Sequence, residues 1–239
     1  MKLLAIDTSG PLCSAALLID GSLSQRLEQA PRRQGELILS MMDALLREAG
    51  LVPRDLDALA FGRGPGSFTG LRIAAAVIQG VAFGAGLPVV GVSTLAALAQ
   101  GCRRSIGADR ALCAFDARMG EVYWGAYEAD EAGLMRPLCA DRVCVPDAVW
   151  LPETDADAAA KTDAKTGGWC AVGSGWSTYH DLLMLRVGRT VGQAHAGRDC
   201  EARDIAVLAA DAFAHGRALP PEQALPVYLR NQVAAVPTP

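Results

Sequence analysis

The chain has 239 residues, a formal charge of -4 at pH 7 and 51% apolar side chains. Its 25 glycines bring the apolar share to roughly 61%, against a usual ~45–50% counted the same way, so more than an ordinary core needs burying. The acidic balance excludes nucleic-acid binding through net charge alone. The seven cysteines have no two-residue spacing and exclude a zinc or dithiol motif.

In chain order, "KLLAIDTSGPLCSAALLIDGSLSQRLE" reads as a three-stranded meander, with a turn at Thr8 to Leu12 and a second at Asp20-Gly21. Leu37, Ile38, Met41, Met42, Leu45, Leu46 and Ala49 follow a helical period, predicting a helix from Gln34 to Gly50. A short strand, Leu56 to Phe61, leads into "GRGPGSFTG", Gly62 to Gly70. A second helix follows from Leu71 to Ala85, then the strand Pro88 to Val92, and a third helix capped by Ser93 or Thr94 that runs to about Gly101. Arg110 to Ala129 repeats the opening layout: an apolar strand ends in an aspartate, turns and returns, the pattern of a duplicated lobe. Pro146 to Gly168 has an exposed-loop composition. "CAVGSGW" is a strand ending in a glycine turn, and a helix from about Asp204 to Gly216 and the segment "PVYLR" close the chain.

The glycine-rich stretch fails both phosphate fingerprints. No lysine follows Gly70, and Ser67 and Thr69 stand where a third glycine would complete the dinucleotide motif. It reads instead as a tight corner whose Ser67 or Thr69 caps the next helix. His180, His195 and His215 form no i, i+4 pair, so no metal site is expected, and Ser67 has no local base to make it a nucleophile. Asp7 and Asp116, each at a strand end, together with the glycines of "VGSGW", are candidates for a nucleotide cradle between two lobes, although strand-end aspartates also make simple Asx turns.

The second helix stands out. Arg72 and Gln79 are its only polar side chains and share one strip, while Ala74, Ala75, Val77, Ile78, Val81 and Ala82 cover most of its circumference. Such a helix needs cover on both sides, from the chain's own sheet and from either a second helix or another protein. Ile73 to Gly101 carries no charge, but Gly84, Gly86, Pro88 and Gly91 break it, so no membrane span is expected. Asp7 interrupts the N-terminal apolar run before a signal segment forms, so a cytoplasmic protein with reduced, packing thiols is expected.

"LAIDTS", "GRGPGSFTGLRI", "GVSTL", "DARMGEVYW", "VGSGW" and "PVYLR" resemble, in order and spacing, the bacterial TsaB (YeaZ) family over nearly the whole chain. That resemblance implies an α/β, two-lobed actin, sugar kinase and Hsp70-like fold with duplicated mixed-sheet lobes, divided as residues 1–105 and 106–239, the last segment packing back on the first lobe. It also implies a non-catalytic role in making threonylcarbamoyladenosine beside the tRNA anticodon, with TsaD, which holds the metal and performs the transfer, and the ATPase TsaE as partners. tRNA would be met only within the complex, and the free chain would self-associate. No catalytic or metal-binding residue is expected, and no certain cofactor. Asp7, Thr8, Ser9, Asp116, Gly173 and Gly175 are the candidate remnants of a nucleotide site with weak ATP or ADP binding. Leu37, Met41, Met42, Leu45, Leu71, Ala74, Ala75, Ile78 and Ala82 are the candidate partner interface. An independent ATP-dependent kinase or ATPase is the alternative. A peptidase, the family's older description, finds no Ser, His and Asp arrangement here.

Overall fold

A computed structural model describes residues 1–151, 168–188 and 190–230, so the segment Asp155 to Gly167 lies outside the described residues. The meander forms as expected from β1 (Lys2–Asp7), β2 (Leu12–Ile19) and β3 (Ser22–Gln29). Its second turn places Asp20 at φ 47° and Gly21 at φ 87°, the left-handed pair that a two-residue hairpin requires. Helix α1 (Gln34–Glu48), β4 (Ala58–Gly64), α2 (Phe68–Ala85) and β5 (Val89–Ser93) complete a sheet of order β3-β2-β1-β4-β5. β1 pairs antiparallel with β2 and parallel with β4.

Helix α3 (Thr94–Ile106) leads to a second sheet built from β6 (Arg110–Arg118), β7 (Glu121–Ala129), β8 (Met135–Pro137), β10 (Trp169–Val172) and β11 (Val191–His195), with β9 (Arg142–Cys144) also paired to β7. Between β10 and β11 run the short helix α4 (Ser174–Thr178) and α5 (His180–Val187). Read as β8-β7-β6-β10-β11, the second sheet repeats the first strand for strand, antiparallel and parallel pairings included. This is the two-lobed actin-like architecture with duplicated mixed sheets.

The apolar runs follow from burial on both faces. Leu4 and Ile6 of β1 meet α1 and α2, while Leu3 and Ala5 point to the other face. That second face is covered by α6 (Ala202–Ala214) through Ile205, Ala206 and Ala209, so the last helix packs on the first sheet. Helix α3 covers the inner face of the second sheet through Leu95, Leu98 and Ala99. Arg104 of α3 grips Asp204 of α6 with two hydrogen bonds of 2.9 Å, tying the two central helices together.

Three element ends differ from the sequence reading by three residues or more. β4 runs on to Gly64, because the start of the glycine stretch stays paired with β5. Helix α2 starts at Phe68 with Ser67 as its cap, the hydroxyl accepting from the Gly70 N–H at 3.4 Å. Helix α3 passes through Gly101 to Ile106 and stops at Gly107 in the left-handed region. Gly101 sits where a Cβ would come 2.9 Å from Asp204 Oδ2, so close packing rather than termination explains it. Two of the thiols face each other, Cys102 of α3 and Cys170 of β10, their Cα atoms 7.5 Å apart, wider than a disulfide spans. Of the other five cysteines, Cys13, Cys113 and Cys200 are buried as packing groups.

Candidate functional site

The glycine stretch packs directly onto the β1–β2 turn. Thr8 Oγ1 donates to the Gly70 carbonyl at 2.7 Å, the Ser67 N–H donates to the Ser9 carbonyl at 2.7 Å, and Thr94 Oγ1 donates to the Pro65 carbonyl. The Gly64-Pro65 peptide is cis. A Cβ at Gly70 would stand 1.9 Å from the Thr8 carbonyl oxygen, and one at Gly62 would stand 2.2 Å from Asp7 Oδ1. Backbone approaches that close admit only glycine. The loop is a corner packed against Thr8 and Ser9, which are 0% and 5% exposed, so protein occupies the side of the turn that a phosphate cradle would leave open.

Asp7 lies buried at the end of β1. Ser9 donates its N–H at 3.2 Å and its hydroxyl at 3.0 Å to Oδ2, while Oδ1 has no partner among the described residues. Burial pushes the carboxyl up to about 7; the Ser9 bonds and the Cys200 thiol pull the other way, and Asp199 adds to the rise. A carboxyl that binds its proton more tightly folded than unfolded contributes stability that is full below the unfolded value and is lost as pH rises through the folded one. Unfolding free energy is therefore expected to fall between about pH 4 and 7, by up to about 4 kcal/mol at ~1.4 kcal/mol per pKa unit. Asp199 and Asp204 shift the same way. Urea unfolding of Asp7→Asn at pH 5 and pH 8 checks this. The variant should gain on the parent at pH 8 and show a shallower pH slope, and parallel slopes would refute the assignment.

Asp116, the counterpart in the second lobe, is committed locally. It accepts from the Arg118 N–H at 2.7 Å and the Arg118 guanidinium at 3.0 Å, and Tyr179 and Thr178 hydroxyls reach its two oxygens at 3.4 Å. Both aspartates thus accept from the N–H two residues on, the Asx turn. Gly173 and Gly175 face β6: a Cβ would come 2.4 Å from the Ala114 carbonyl oxygen at the first and 2.8 Å from the Ala114 Cβ at the second. Their role is helix-to-strand packing. The six residues of the supposed nucleotide site are therefore each bound within their own lobe. Among the described residues no hydrogen bond links the Asp7 group to the Asp116 group. With the turn filled by the glycine stretch and Asp116 paired to Arg118, the arrangement does not fit a metal-bound triphosphate.

The residues of the expected partner interface lie mostly inside the fold of the single chain. Met41, Met42, Leu45, Leu71, Ala74, Ala75, Ile78 and Ala82 are buried in the chain's own core beneath α1 and α2, and Leu37 is half-buried against it. Helix α1 turns Ile38, Met41, Met42, Leu45 and Leu46 inward, and α2 turns Leu71, Ala74, Ala75, Ile78 and Ala82 inward. What α2 leaves open is the strip of Arg72, Ala76, Gly80, Phe83 and Gly84, with Phe83 82% exposed and nothing within 4 Å of a Cβ at Gly80 or Gly84. Arg72 and Gln79 marked that strip in the sequence. The helix is long and apolar enough to cross a bilayer by length and composition, yet six of its residues pack into the fold.

Sequence reasoning put the closing segment back on the first lobe and missed that it also reaches the second. Its Val227 N–H donates to the Arg63 carbonyl at 2.7 Å, and the Tyr228 ring lies 5.4 Å from that of Phe68 at the start of α2. Arg230 then reaches the other lobe, donating to the Ala117 carbonyl at 3.0 Å and pairing with Glu121. "PVYLR" is a strap that bridges the lobes and lies along α2.

Residues 28–235 match the family model described as TsaD, tRNA N6-adenosine threonylcarbamoyltransferase. A tRNA threonylcarbamoyladenosine biosynthesis protein TsaB from Escherichia coli is 42% identical, covering 98% of this chain and 96% of its own. The protein of that name from Haemophilus influenzae is 36% identical, with 98% and 95% covered. Among solved structures, YeaZ from Pseudomonas aeruginosa is 42% identical and superposes with a TM-score of 0.85 over 95% of this chain and 99% of that one. Sequence, fold and length agree from end to end: the chain belongs to the TsaB (YeaZ) family of tRNA threonylcarbamoyladenosine biosynthesis proteins, within the wider reach of the TsaD family model.

Proposed function

We propose that this protein is a non-catalytic scaffold of the cytoplasmic machinery that makes threonylcarbamoyladenosine, binding and stabilising TsaD, working with the ATPase TsaE, and meeting tRNA only inside that complex. The observation that carries this reading is the open strip of α2: a regular helix whose solvent face is Ala76, Gly80, Gly84 and an exposed Phe83. Small residues permit close backbone approach, and an aromatic at the strip's end supplies an anchor. In the same reading residues 1–105 form the lobe that carries the partner helices, 106–239 form the second lobe, and the free chain pairs with itself through the same strip.

Mixing the purified chain with TsaD and measuring mass in solution tests it. A single heterodimeric species is expected at micromolar concentration, and two independent species would overturn the reading. The filled turn at Thr8 and the committed Asp116 bear on the kinase alternative. Calorimetric titration of the isolated chain with Mg-ATP is expected to give no submillimolar binding and no turnover, and tight binding with hydrolysis would favour the enzyme instead.

A further inference from the structure

A cavity of about 520 Å³ opens between the lobes, and neither Asp7 nor Asp116 lines it. The volume lies within the ~300–1,000 Å³ of small-molecule sites. Two charged side chains face it, Arg63 from the end of β4 and Asp141 from the loop after β8. Asp141 is seated deliberately. Tyr127, buried beneath it, donates its hydroxyl to Oδ1 at 2.5 Å, and Ser93 donates to Oδ2 at 2.5 Å. A Cβ at Gly125 would stand 2.7 Å from Oδ1, so the absence of a side chain there makes the seat.

Both donors are neutral, so they orient the carboxylate without cancelling its charge. An ionised carboxylate has about four acceptor positions, which leaves about two for a ligand. Burial pushes the Asp141 carboxyl up, while the Ser93 and Tyr127 hydroxyls and, through space, Arg63 pull it down; among the described residues Arg63 forms no ion pair with it and its guanidinium finds no hydrogen-bond acceptor. Opposite charges that share a cavity without touching are both satisfied by a ligand that carries the complementary pair. A simple anion would meet Asp141, and a simple cation would meet Arg63, each at a cost in repulsion. Beside Ser93, Tyr127 and Cys139, the wall carries the apolar side chains of Pro65, Ala96, Leu138 and Leu229.

We propose that this cavity binds a free α-amino acid with an apolar side chain, its ammonium on Asp141, its carboxylate on Arg63 and its side chain against Leu138 and Leu229. The site uses no part of the open α2 strip, so it stands or falls separately from the scaffold reading.

The experiment is calorimetric titration of the full chain with L-leucine and L-methionine, beside N-acetyl-L-leucine, which lacks the ammonium, and L-leucinamide, which lacks the carboxylate. The two amino acids are expected to bind with a Kd below about 1 mM, and the blocked forms at least about tenfold more weakly. Asp141→Asn and Arg63→Gln should each weaken binding about tenfold or more. Arg63 is exposed and makes no intramolecular side-chain bond among the described residues, so its variant keeps the test valid if Asp141→Asn disturbs the fold. No heat with either amino acid up to about 10 mM, or blocked forms binding as well as free ones, or an Arg63→Gln variant as tight as the parent, would each overturn the proposal.

Discussion

Gly80→Glu is expected to make the isolated protein slightly more stable while abolishing the association with TsaD proposed above. The two effects have opposite signs because they draw on different physics. Gly80 lies inside α2 with nothing within 4 Å of the position a Cβ would take, so a longer side chain meets no neighbour. Replacing glycine in a helix interior removes its excess unfolded-state freedom and gains roughly 0.5–1 kcal/mol. At an interface of small residues the same carboxylate would be buried without a partner, a change worth several kcal/mol, so the dissociation constant should rise by more than about 100-fold. Urea unfolding reads the first effect, and sedimentation of the mixed proteins reads the second. Phe83→Ser on the same strip should weaken association without unfolding the chain, since Phe83 is 82% exposed. If Gly80→Glu still forms the heterodimer, the open strip of α2 is not the contact.

Gly70→Ala, in the first turn of the same helix, should instead cost about 2–4 kcal/mol of stability. Its Cβ would stand 1.9 Å from the Thr8 carbonyl oxygen, which is backbone and cannot swing aside. Relief requires either the start of α2 or the β1–β2 turn to move, and that breaks the 2.7 Å Thr8 to Gly70 hydrogen bond and the 2.7 Å Ser67 to Ser9 bond together. Gly84→Ala in the same helix is the control, because its Cβ meets nothing within 4 Å and helix propensity favours it. Urea unfolding of the pair should therefore separate them by about 3 kcal/mol or more. A Gly70→Ala variant within about 0.5 kcal/mol of the parent would mean that the loop does not clamp the turn as described.

Much of the fold was legible because local chemistry spells it out. Asp20-Gly21 names its hairpin, Ile38 to Leu46 names a helix with one buried stripe, and two apolar strands, one ending at Asp7 and the other carrying Asp116 two residues before its end, name a duplicated lobe. Capping was legible too: Ser67 and Ser93 each accept from the N–H three residues on. Partner and pocket were less so. Helical spacing says that α2 is apolar all round, yet it cannot say which side meets the sheet. The buried side proved to be the one with Leu71, Ala74, Ala75, Ile78 and Ala82, and the open side the one with Ala76, Gly80, Phe83 and Gly84.

What the sequence by itself determined was the order of strands and helices, their periods, the corner glycines and the family that these motifs match. Those properties depend on neighbours within about four residues of one another, or on motif order. Only the tertiary structure decided that the glycine stretch fills the turn it resembled a cradle for, that Asp116 is spent on Arg118, that the closing strap joins two lobes, and that Arg63 and Asp141 share one cavity. Each of these depends on which atoms meet across a sequence separation of tens of residues or on a local bond that a sequence pattern does not specify, and close packing rather than periodicity selects among the ways they can meet.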